Sequence, residues 1–296
     1  MQTPLAAFRS APLERVQLGT ELTYRRFGQG PAVVLVHGWP LNGATYRGLV
    51  PVLAQHFTCY VPDLPGSGQT PWDPAITDIF EDWGKLIADF VQALGLSRVA
   101  LIGHDSGGGI ARVSAALLGE RVTMLGLIDT EVSNHKPGLV WLYQQAARIP
   151  GSQALFGALL KQRWYRRSQL GLGKCFQNVD HIDGEFHEAC VVPLYSHLEW
   201  ALQAISRADS SGSQLPALHT RITAPTVLVW GENDGFFPVA KARAMLPEFR
   251  DVRAFDVLPG QGLFVHDEAP QLVAEKLLPW LQKLHAPAAT TRLASA

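Results

Sequence analysis

The feature that most constrains this sequence is an apolar run that leads directly into a glycine-rich turn. Residues 99–103 are apolar, Asp105 follows two positions later between glycines, and 108–118 then has apolar residues at helical spacing. Such a run suits a strand buried on both faces of a parallel sheet. A Cβ beside Asp105 would crowd a sharp turn, so the glycines predict a tight bend that holds the Asp105 side chain near the positive end of the next helix. An ordinary glycine-rich turn capped by Asp105 is the alternative.

Similar apolar runs recur along the chain and alternate with helical patterns such as 79–94. The other runs are 32–36, 57–61, 123–128 and 226–230. Strands that alternate with helices predict an α/β fold, with a mostly parallel central sheet and helices on both faces. The opening segment 16–27 predicts a hairpin with Gly19 and Thr20 at its turn.

An insertion interrupts this rhythm, because helical patterns but no strand-like run occur between Asp129 and Pro225. Patterns at 139–148 and 193–207 carry most of this signal. We therefore expect an α/β core with an inserted helical cap and a disordered end of the chain. The predicted units are the core at 1–130 and 219–285, the cap at 131–218 and the tail at 286–296.

Composition excludes several classes of protein. Of the 296 residues, 47% are hydrophobic and 17% are charged, which rules out wholesale disorder. The 25 lysines and arginines nearly balance the 26 aspartates and glutamates and form no basic stripe, so nucleic acid is not an expected partner. No segment approaches the length and hydrophobicity of a membrane span, and the first residues lack the apolar core of a signal peptide. We expect a soluble cytoplasmic monomer or homodimer that acts on a small molecule without a cofactor.

Four motifs in register carry a family resemblance. The segment Gly103-His-Asp-Ser-Gly107 has the spacing of a nucleophile elbow, with Asp105 where serine is usual. His37-Gly-Trp-Pro40, Asp63-Leu-Pro-Gly-Ser-Gly68 and Gly231-Glu-Asn-Asp234 each follow a predicted strand. Their order resembles the α/β-hydrolase fold family over nearly the whole chain. The aspartate nucleophile and the His-Gly-Trp-Pro motif resemble the branch of epoxide hydrolases and haloalkane dehalogenases.

The resemblance implies a role for each matching position. Asp105 would attack an electrophilic carbon and form an alkyl-enzyme ester. The backbone N–H groups of Trp39 and Ser106 would form the oxyanion hole that stabilises charge during hydrolysis of the ester. Asp234 would orient a histidine base, and Asp129, at the end of an earlier strand, is the alternative acid.

The cap implies further candidates and narrows the substrate. Cap tyrosines in the resembling enzymes activate an epoxide oxygen by hydrogen bonding, so Tyr143, Tyr165 and Tyr195 are candidates, although simple packing also accounts for each. Dehalogenases place a tryptophan directly after the nucleophile, where this chain has Ser106. The pattern therefore favours a small, uncharged, epoxide-like substrate and a hydrolase most like an epoxide hydrolase, with a dehalogenase less favoured.

One position departs from the family pattern. The resembling enzymes have a histidine base where this chain has Leu263, and leucine cannot accept a proton. His266 could take over through a shifted loop, or could be the structural histidine that opens the last helix. The protein could instead use chemistry without a histidine base, such as ligand binding or lyase or isomerase chemistry. It could also be impaired, so that it is alkylated once and stops.

A polar run at 180–188 offers carboxylates and two histidines, which raises the question of a metal site. Its spacing matches no metal-ligand motif, so we predict no metal site and interpret the run as a polar turn with Asp183 as a helix cap.

Overall fold

The computed structural model describes residues 2–285, so the predicted tail at 286–296 lies outside the described residues. Eight strands form one sheet in the order β1-β2-β4-β3-β5-β6-β7-β8. Strand β2 pairs antiparallel with β1 and β4, and the remaining pairs are parallel. The strands are β1 (Leu13–Leu18), β2 (Thr20–Phe27), β3 (Ala32–Val36), β4 (Thr58–Pro62), β5 (Val99–His104), β6 (Val122–Ile128), β7 (Thr226–Gly231) and β8 (Val252–Leu258).

Helices cover both faces of the sheet. Helices α3 and α4 pack against each other on one face, and α12 lies across the central strands on the other face. The helices are α1 (Pro4–Ser10), α2 (Val50–Leu53), α3 (Ile79–Ala93), α4 (Ser106–Leu118), α5 (Gly138–Ala147), α6 (Ser152–Leu160), α7 (Arg163–Arg166), α8 (Val192–Ser206), α9 (Leu215–His219), α10 (Val239–Met245), α11 (Val265–Glu268) and α12 (Pro270–His285).

This arrangement confirms the predicted α/β class and its mostly parallel sheet. Strands β3, β5 and β7 are buried at every position, because helices cover both faces of the sheet there. The hairpin turns at Gly19, whose φ of 84° is a conformation that glycine adopts at little cost.

Only helices lie between β6 and β7 in the chain. Helix α8 packs against both α5 and α6, so the three helices support one another above the sheet. The indole N–H of Trp39, in the loop after β3, donates to the carbonyl of Ala201 on α8 at 2.7 Å and joins this insertion to the core. The division into a core and a separate cap at 131–218 stays a prediction.

Close backbone packing explains the glycines of the strand-to-helix turn. A Cβ on Gly107 would lie 2.2 Å from the carbonyl oxygen of Val36 and 2.5 Å from that of His37. A Cβ on Gly103 would lie 2.2 Å from the carbonyl oxygen of Gly107. The first turn of α4 therefore touches the end of β3 backbone to backbone, and neither partner is a flexible side chain that could move aside.

We predict that Gly107→Ala lowers the free energy of unfolding by about 2 kcal/mol or more, because the added methyl must push two backbone segments apart. Gly138→Ala is the matched control, since nothing lies within 4 Å of a Cβ at the start of α5. Urea denaturation of both variants measures the difference. Equal stability of the two variants would show that the turn accommodates a side chain and would contradict this account of its packing.

Candidate active site

Asp105 occupies the turn between β5 and α4 in a strained conformation. Its φ of 49° and ψ of −135° are rare for a residue other than glycine, and such strain concentrates at functional sites. Neighbouring chain holds the turn in place, because the backbone N–H of Asp105 donates to the carbonyl of Asp129 at 3.0 Å. The hydroxyl of Thr130 donates to the carbonyl of Asp105 at 2.8 Å. Asp105 is therefore fixed above the carboxyl ends of the strands, where open α/β sheets place their ligands.

Two backbone N–H groups lie beside the Asp105 carboxylate. The N–H groups of Ser106 and Trp39 act to lower its pKa. The Trp39 N–H also donates to the hydroxyl of Ser106 at 2.7 Å. Burial nevertheless raises the pKa of Asp105 well above its usual value, and the charges of Glu131 and Asp234 raise it further. The predicted oxyanion-hole donors are thus brought to the predicted nucleophile.

A mostly apolar pocket with a cavity volume of about 90 Å³ opens onto Asp105. Asp105 is the only residue with a formal charge among the described residues that line it. The remaining polar groups of the lining include the phenols of Tyr143 and Tyr165 and the thiol of Cys175. Apolar lining residues include Phe156, Leu160, Leu198, Leu202, Phe236 and Phe264. Such a pocket suits a small uncharged molecule.

The structure brings two of the three candidate tyrosines to this pocket. The phenols of Tyr143 and Tyr165 interact, and Tyr143 donates its proton to the carbonyl of Leu170 at 2.6 Å. Burial raises the pKa of both phenols, so both remain hydrogen-bond donors at neutral pH. Tyr195 does not line the pocket; its hydroxyl lies 3.1 Å from Nε2 of His187 and donates to the carbonyl of Leu160 at 3.2 Å.

The two candidate acids lie side by side and do not orient a histidine. Asp129 Oδ1 accepts from the N–H of Gly231 at 2.7 Å, and Asp234 Oδ1 accepts from Phe236 and Phe237 at 2.7 and 3.0 Å. The other oxygen of each carboxyl group, Oδ2, is buried and has no hydrogen-bond partner within residues 2–285. Burial raises the pKa of Asp129 well above its usual value, and the charge of Asp234 adds to this. Burial likewise raises the pKa of Asp234 to about 7.

Leu263 and His266 lie on different sides of the same loop. The Leu263 side chain lines the pocket beside Asp105, and its carbonyl accepts from Nε2 of His104 at 2.9 Å. His266 is completely buried and does not line the pocket at Asp105. It also does not line a second, smaller cavity that reaches Asp105 and is described below. Its ring centroid lies 4.0 Å from that of His104 and 4.9 Å from that of Tyr46, and neither ring nitrogen bonds to a described residue. Burial lowers the pKa of His266 well below its usual value. The structure thus does not place the histidine as the base that the sequence suggested.

The polar run at 180–188 is held in ion pairs. Asp183 accepts from Arg163, Arg166 and Arg167, so it is bound to arginines and is not the predicted helix cap. Asn178 caps this turn instead, by accepting from the N–H of Asp180. Within residues 2–285 no cluster of histidine, cysteine and carboxylate side chains could hold a metal ion.

Sequence reasoning missed one buried carboxylate beside the nucleophile. Glu131 lies two residues beyond Asp129 and is only 8% exposed. Of the charged groups around Asp105, Glu131 has the largest effect on its pKa. Its position directly after the carboxyl end of a buried parallel strand was the signal available, because functional side chains collect at that edge.

The family described as alpha/beta hydrolase fold matches residues 31–266, which contain the strained turn, both N–H donors and both acids. The chain belongs to the alpha/beta hydrolase fold family.

Relatives of this α/β hydrolase differ in their activities. It is 28% identical to the pimeloyl-[acyl-carrier protein] methyl ester esterase of Chromobacterium violaceum, over 77% of this chain and 86% of the relative. It is 24% identical to haloalkane dehalogenase 2 of Mycobacterium bovis, over 85% of this chain and 88% of the relative. Among solved structures, the epoxide hydrolase CorEH superposes with a TM-score of 0.79 at 22% identity, over 93% of this chain and 100% of the other.

No helix in the described part of this α/β hydrolase, residues 2–285, has both the length and the hydrophobicity needed to cross a bilayer.

We predict that Asp129→Asn makes this α/β hydrolase more stable relative to wild type as the pH rises. An acid whose pKa is higher in the folded than in the unfolded protein makes its full contribution to stability below its unfolded pKa of about 4. It loses that contribution as the pH rises through its folded-state pKa. For Asp234 that folded value is about 7, so the wild type loses stability between about pH 4 and 7. The side-chain amide introduced by the substitution would donate to Asp234 and remove this loss.

Urea denaturation of wild type and Asp129→Asn at pH 5 and pH 8 measures the effect. The stability difference between the two proteins should shift by more than about 1 kcal/mol in favour of the variant at the higher pH. Parallel pH profiles would mean that Asp129 has no effect on the titration of Asp234.

Proposed function

We propose that this α/β hydrolase hydrolyses small uncharged epoxides through an ester of Asp105. The observation that carries the proposal is the carboxylate of Asp105 at the head of an apolar pocket, with the backbone N–H groups of Trp39 and Ser106 beside it. In an ester of Asp105 the same two donors would stabilise the oxyanion that forms when water adds to the carbonyl. A serine nucleophile, as in an esterase, is not available at this position.

Ring opening would proceed by attack of a carboxylate oxygen of Asp105 on one epoxide carbon. The carbon–oxygen bond of the ring breaks, and the resulting alkoxide takes a proton from a phenol. Tyr165 suits this role because it lines the pocket, whereas the proton of Tyr143 is already engaged by Leu170. Tyr195 lies outside the pocket and has no part in this step.

Several contacts support an epoxide over a haloalkane or a haloacid. The indole N–H of Trp39 donates to Ala201 and is therefore not free to bind a departing halide. A haloacid would bring a carboxylate into a lining that already holds the charge of Asp105 and, among the described residues, offers it no cation. The haloalkane dehalogenase relative and the epoxide hydrolase neighbour are both consistent with attack by an aspartate. The contacts of Trp39 and the lining of the pocket favour an epoxide as the substrate.

Leu263 favours a second candidate. Because no histidine within residues 2–285 bonds to Asp234, the ester could form and persist, or the pocket could bind a ligand without hydrolysing it. The same experiment separates the candidates: diol release without a lasting adduct supports an epoxide hydrolase, and a stable adduct on Asp105 supports stalled alkylation. Binding with neither product supports a non-hydrolytic protein.

We predict that Asp105→Asn abolishes both adduct and diol formation with a panel of uncharged epoxides, because an amide is a poor nucleophile of nearly the same shape. Intact mass and peptide mapping locate any adduct, and the mass also excludes deamidation. Cys175→Ser is the matched control, because the Cys175 thiol is the other side chain of the pocket lining that could act as a nucleophile. Burial raises the pKa of this thiol, which keeps it protonated. Adduct formation that survives in Asp105→Asn and disappears in Cys175→Ser would assign the chemistry to the thiol.

We predict that Leu263→His speeds decay of the Asp105 ester at least about tenfold, because a general base contributes about 10²–10⁴ in rate when well placed. The loop of Leu263 lies against that of Asp234, since the N–H of Asn233 donates to Gln261 at 2.8 Å. An imidazole at this position would reach the acid pair. Single-turnover decay of the ester measures the change, and Leu263→Gln controls for added polarity. Equal decay in wild type and Leu263→His would contradict the predicted path of the loop.

A further inference from the structure

A second, smaller cavity also reaches Asp105. It has a volume of about 30 Å³, and its polar lining comes from Asp105, Ser106, Glu131 and Ser210. The Ser210 hydroxyl is buried and makes no hydrogen bond to any residue in the described range 2–285. A cavity needs roughly 10–15 Å³ and two to four polar partners to hold one water molecule. This cavity meets both conditions.

Glu131 is fixed beside the nucleophile by contacts to the same turn. The Thr130 hydroxyl lies 2.8 Å from both the carbonyl oxygen of Asp105 and Oε2 of Glu131. The backbone N–H of Gly109, in the first turn of α4, acts to lower the pKa of Glu131. The Glu131 carboxylate approaches closely because Gly109 has no side chain: a Cβ there would lie 3.2 Å from Oε2 of Glu131.

A buried cation balances this carboxylate. The guanidinium of Arg112 is completely buried and makes no hydrogen bond to a described residue, and its charge acts on Glu131. Burial lowers the pKa of Arg112 to about 10, which leaves it charged at neutral pH. Burial raises the pKa of Glu131, and the Arg112 charge opposes that rise. A carboxylate whose pKa is raised above its ordinary value is better suited to accept a proton than an ordinary one.

We propose that Glu131 is the general base that hydrolyses the Asp105 ester, with its water held in this second cavity between the two side chains. The inference rests on the proposed function and supplies the base that Leu263 cannot provide. Glu131 takes a proton from the water as its oxygen adds to the ester carbonyl, and the Trp39 and Ser106 N–H groups hold the oxyanion. Collapse breaks the bond between the carbonyl carbon and the Asp105 oxygen that had attacked the epoxide. This oxygen takes the proton from Glu131 and leaves with the substrate as the diol, while the oxygen of the water stays on the Asp105 carboxyl group. The proton left on the Asp105 carboxyl returns to the phenolate formed in the first step.

The test follows formation and decay of the ester separately in wild type and Glu131→Gln. An uncharged epoxide that wild type converts is mixed with excess enzyme, and intact mass reports the adduct over time. We expect the adduct to form at least as fast in Glu131→Gln as in wild type, because loss of the Glu131 charge lowers the pKa of Asp105, and to decay about 10²–10⁴-fold more slowly. In wild type, decay should speed up as the pH rises through the raised pKa of Glu131, and the variant should lose this dependence.

Glu248→Gln is the matched control. Glu248 is the other carboxylate whose charge acts on Arg112, but it does not line the cavity. Its loss should leave ester decay within about threefold of wild type. If Glu131→Gln fails to fold, Glu131→Asp keeps a negative charge beside Arg112 while withdrawing the carboxylate, and decay should slow at least about tenfold.

The outcomes separate this inference from the proposed function. An ester that decays at the wild-type rate in folded Glu131→Gln overturns Glu131 as the base and leaves the Asp105 ester standing. Accumulation of the ester only in His266→Ala would assign the base to His266 and also overturn the inference. A wild-type ester that never decays overturns it in favour of stalled alkylation. Neither adduct nor diol from wild type across the epoxide panel would overturn the proposed function itself, and this inference with it.

Discussion

The contact between the first turn of α4 and the end of β3 is the constraint on which the rest of the site depends. Gly107 brings two backbones together with no side chain between them. That approach forces the strained conformation of Asp105 and brings the Trp39 N–H to its carboxylate. The nucleophile, its N–H donors and the floor of the pocket therefore follow from one backbone contact. Chemistry at this turn can vary through the side chain of residue 105 while the packing beneath it stays the same.

Buried negative charge is the second organising feature. Asp129, Glu131 and Asp234 are buried and Asp105 is half-buried, all within a few residues of the carboxyl edge of the sheet, and Arg112 is the buried cation whose charge acts on Glu131. Isolated buried carboxylates are costly, so the protein must protonate some and neutralise or hydrogen-bond the others. The charge of Asp234 raises the pKa of Asp129, the charge of Arg112 lowers that of Glu131, and the N–H groups of Ser106 and Trp39 lower that of Asp105. Neighbouring carboxyl groups thus have different electrostatic surroundings.

The sequence predicted the fold well and the site in part, for physical reasons. Buried strands such as β5 are continuous apolar runs, so their positions could be predicted to within a residue or two. Strand β8 was not identified because it lies at the sheet edge, is only partly buried and includes Asp256. Motif spacing located Asp105 and its donors, since these depend on local backbone. It could not show that Asp129 and Asp234 face each other, that His266 packs on His104, or that Glu131 lies beside the nucleophile, because those contacts depend on the folding of distant segments.

The hydrogen bond from the Trp39 indole to Ala201 has a consequence for how molecules enter and leave. Helix α8 contributes Leu198 and Leu202 to the wall of the pocket. The same helix holds, through this 2.7 Å bond, the loop whose backbone N–H lies beside Asp105. A displacement of α8 would therefore change the width of the pocket and the position of an N–H donor together. Admission of a molecule and readiness of the N–H donors are in this way mechanically linked.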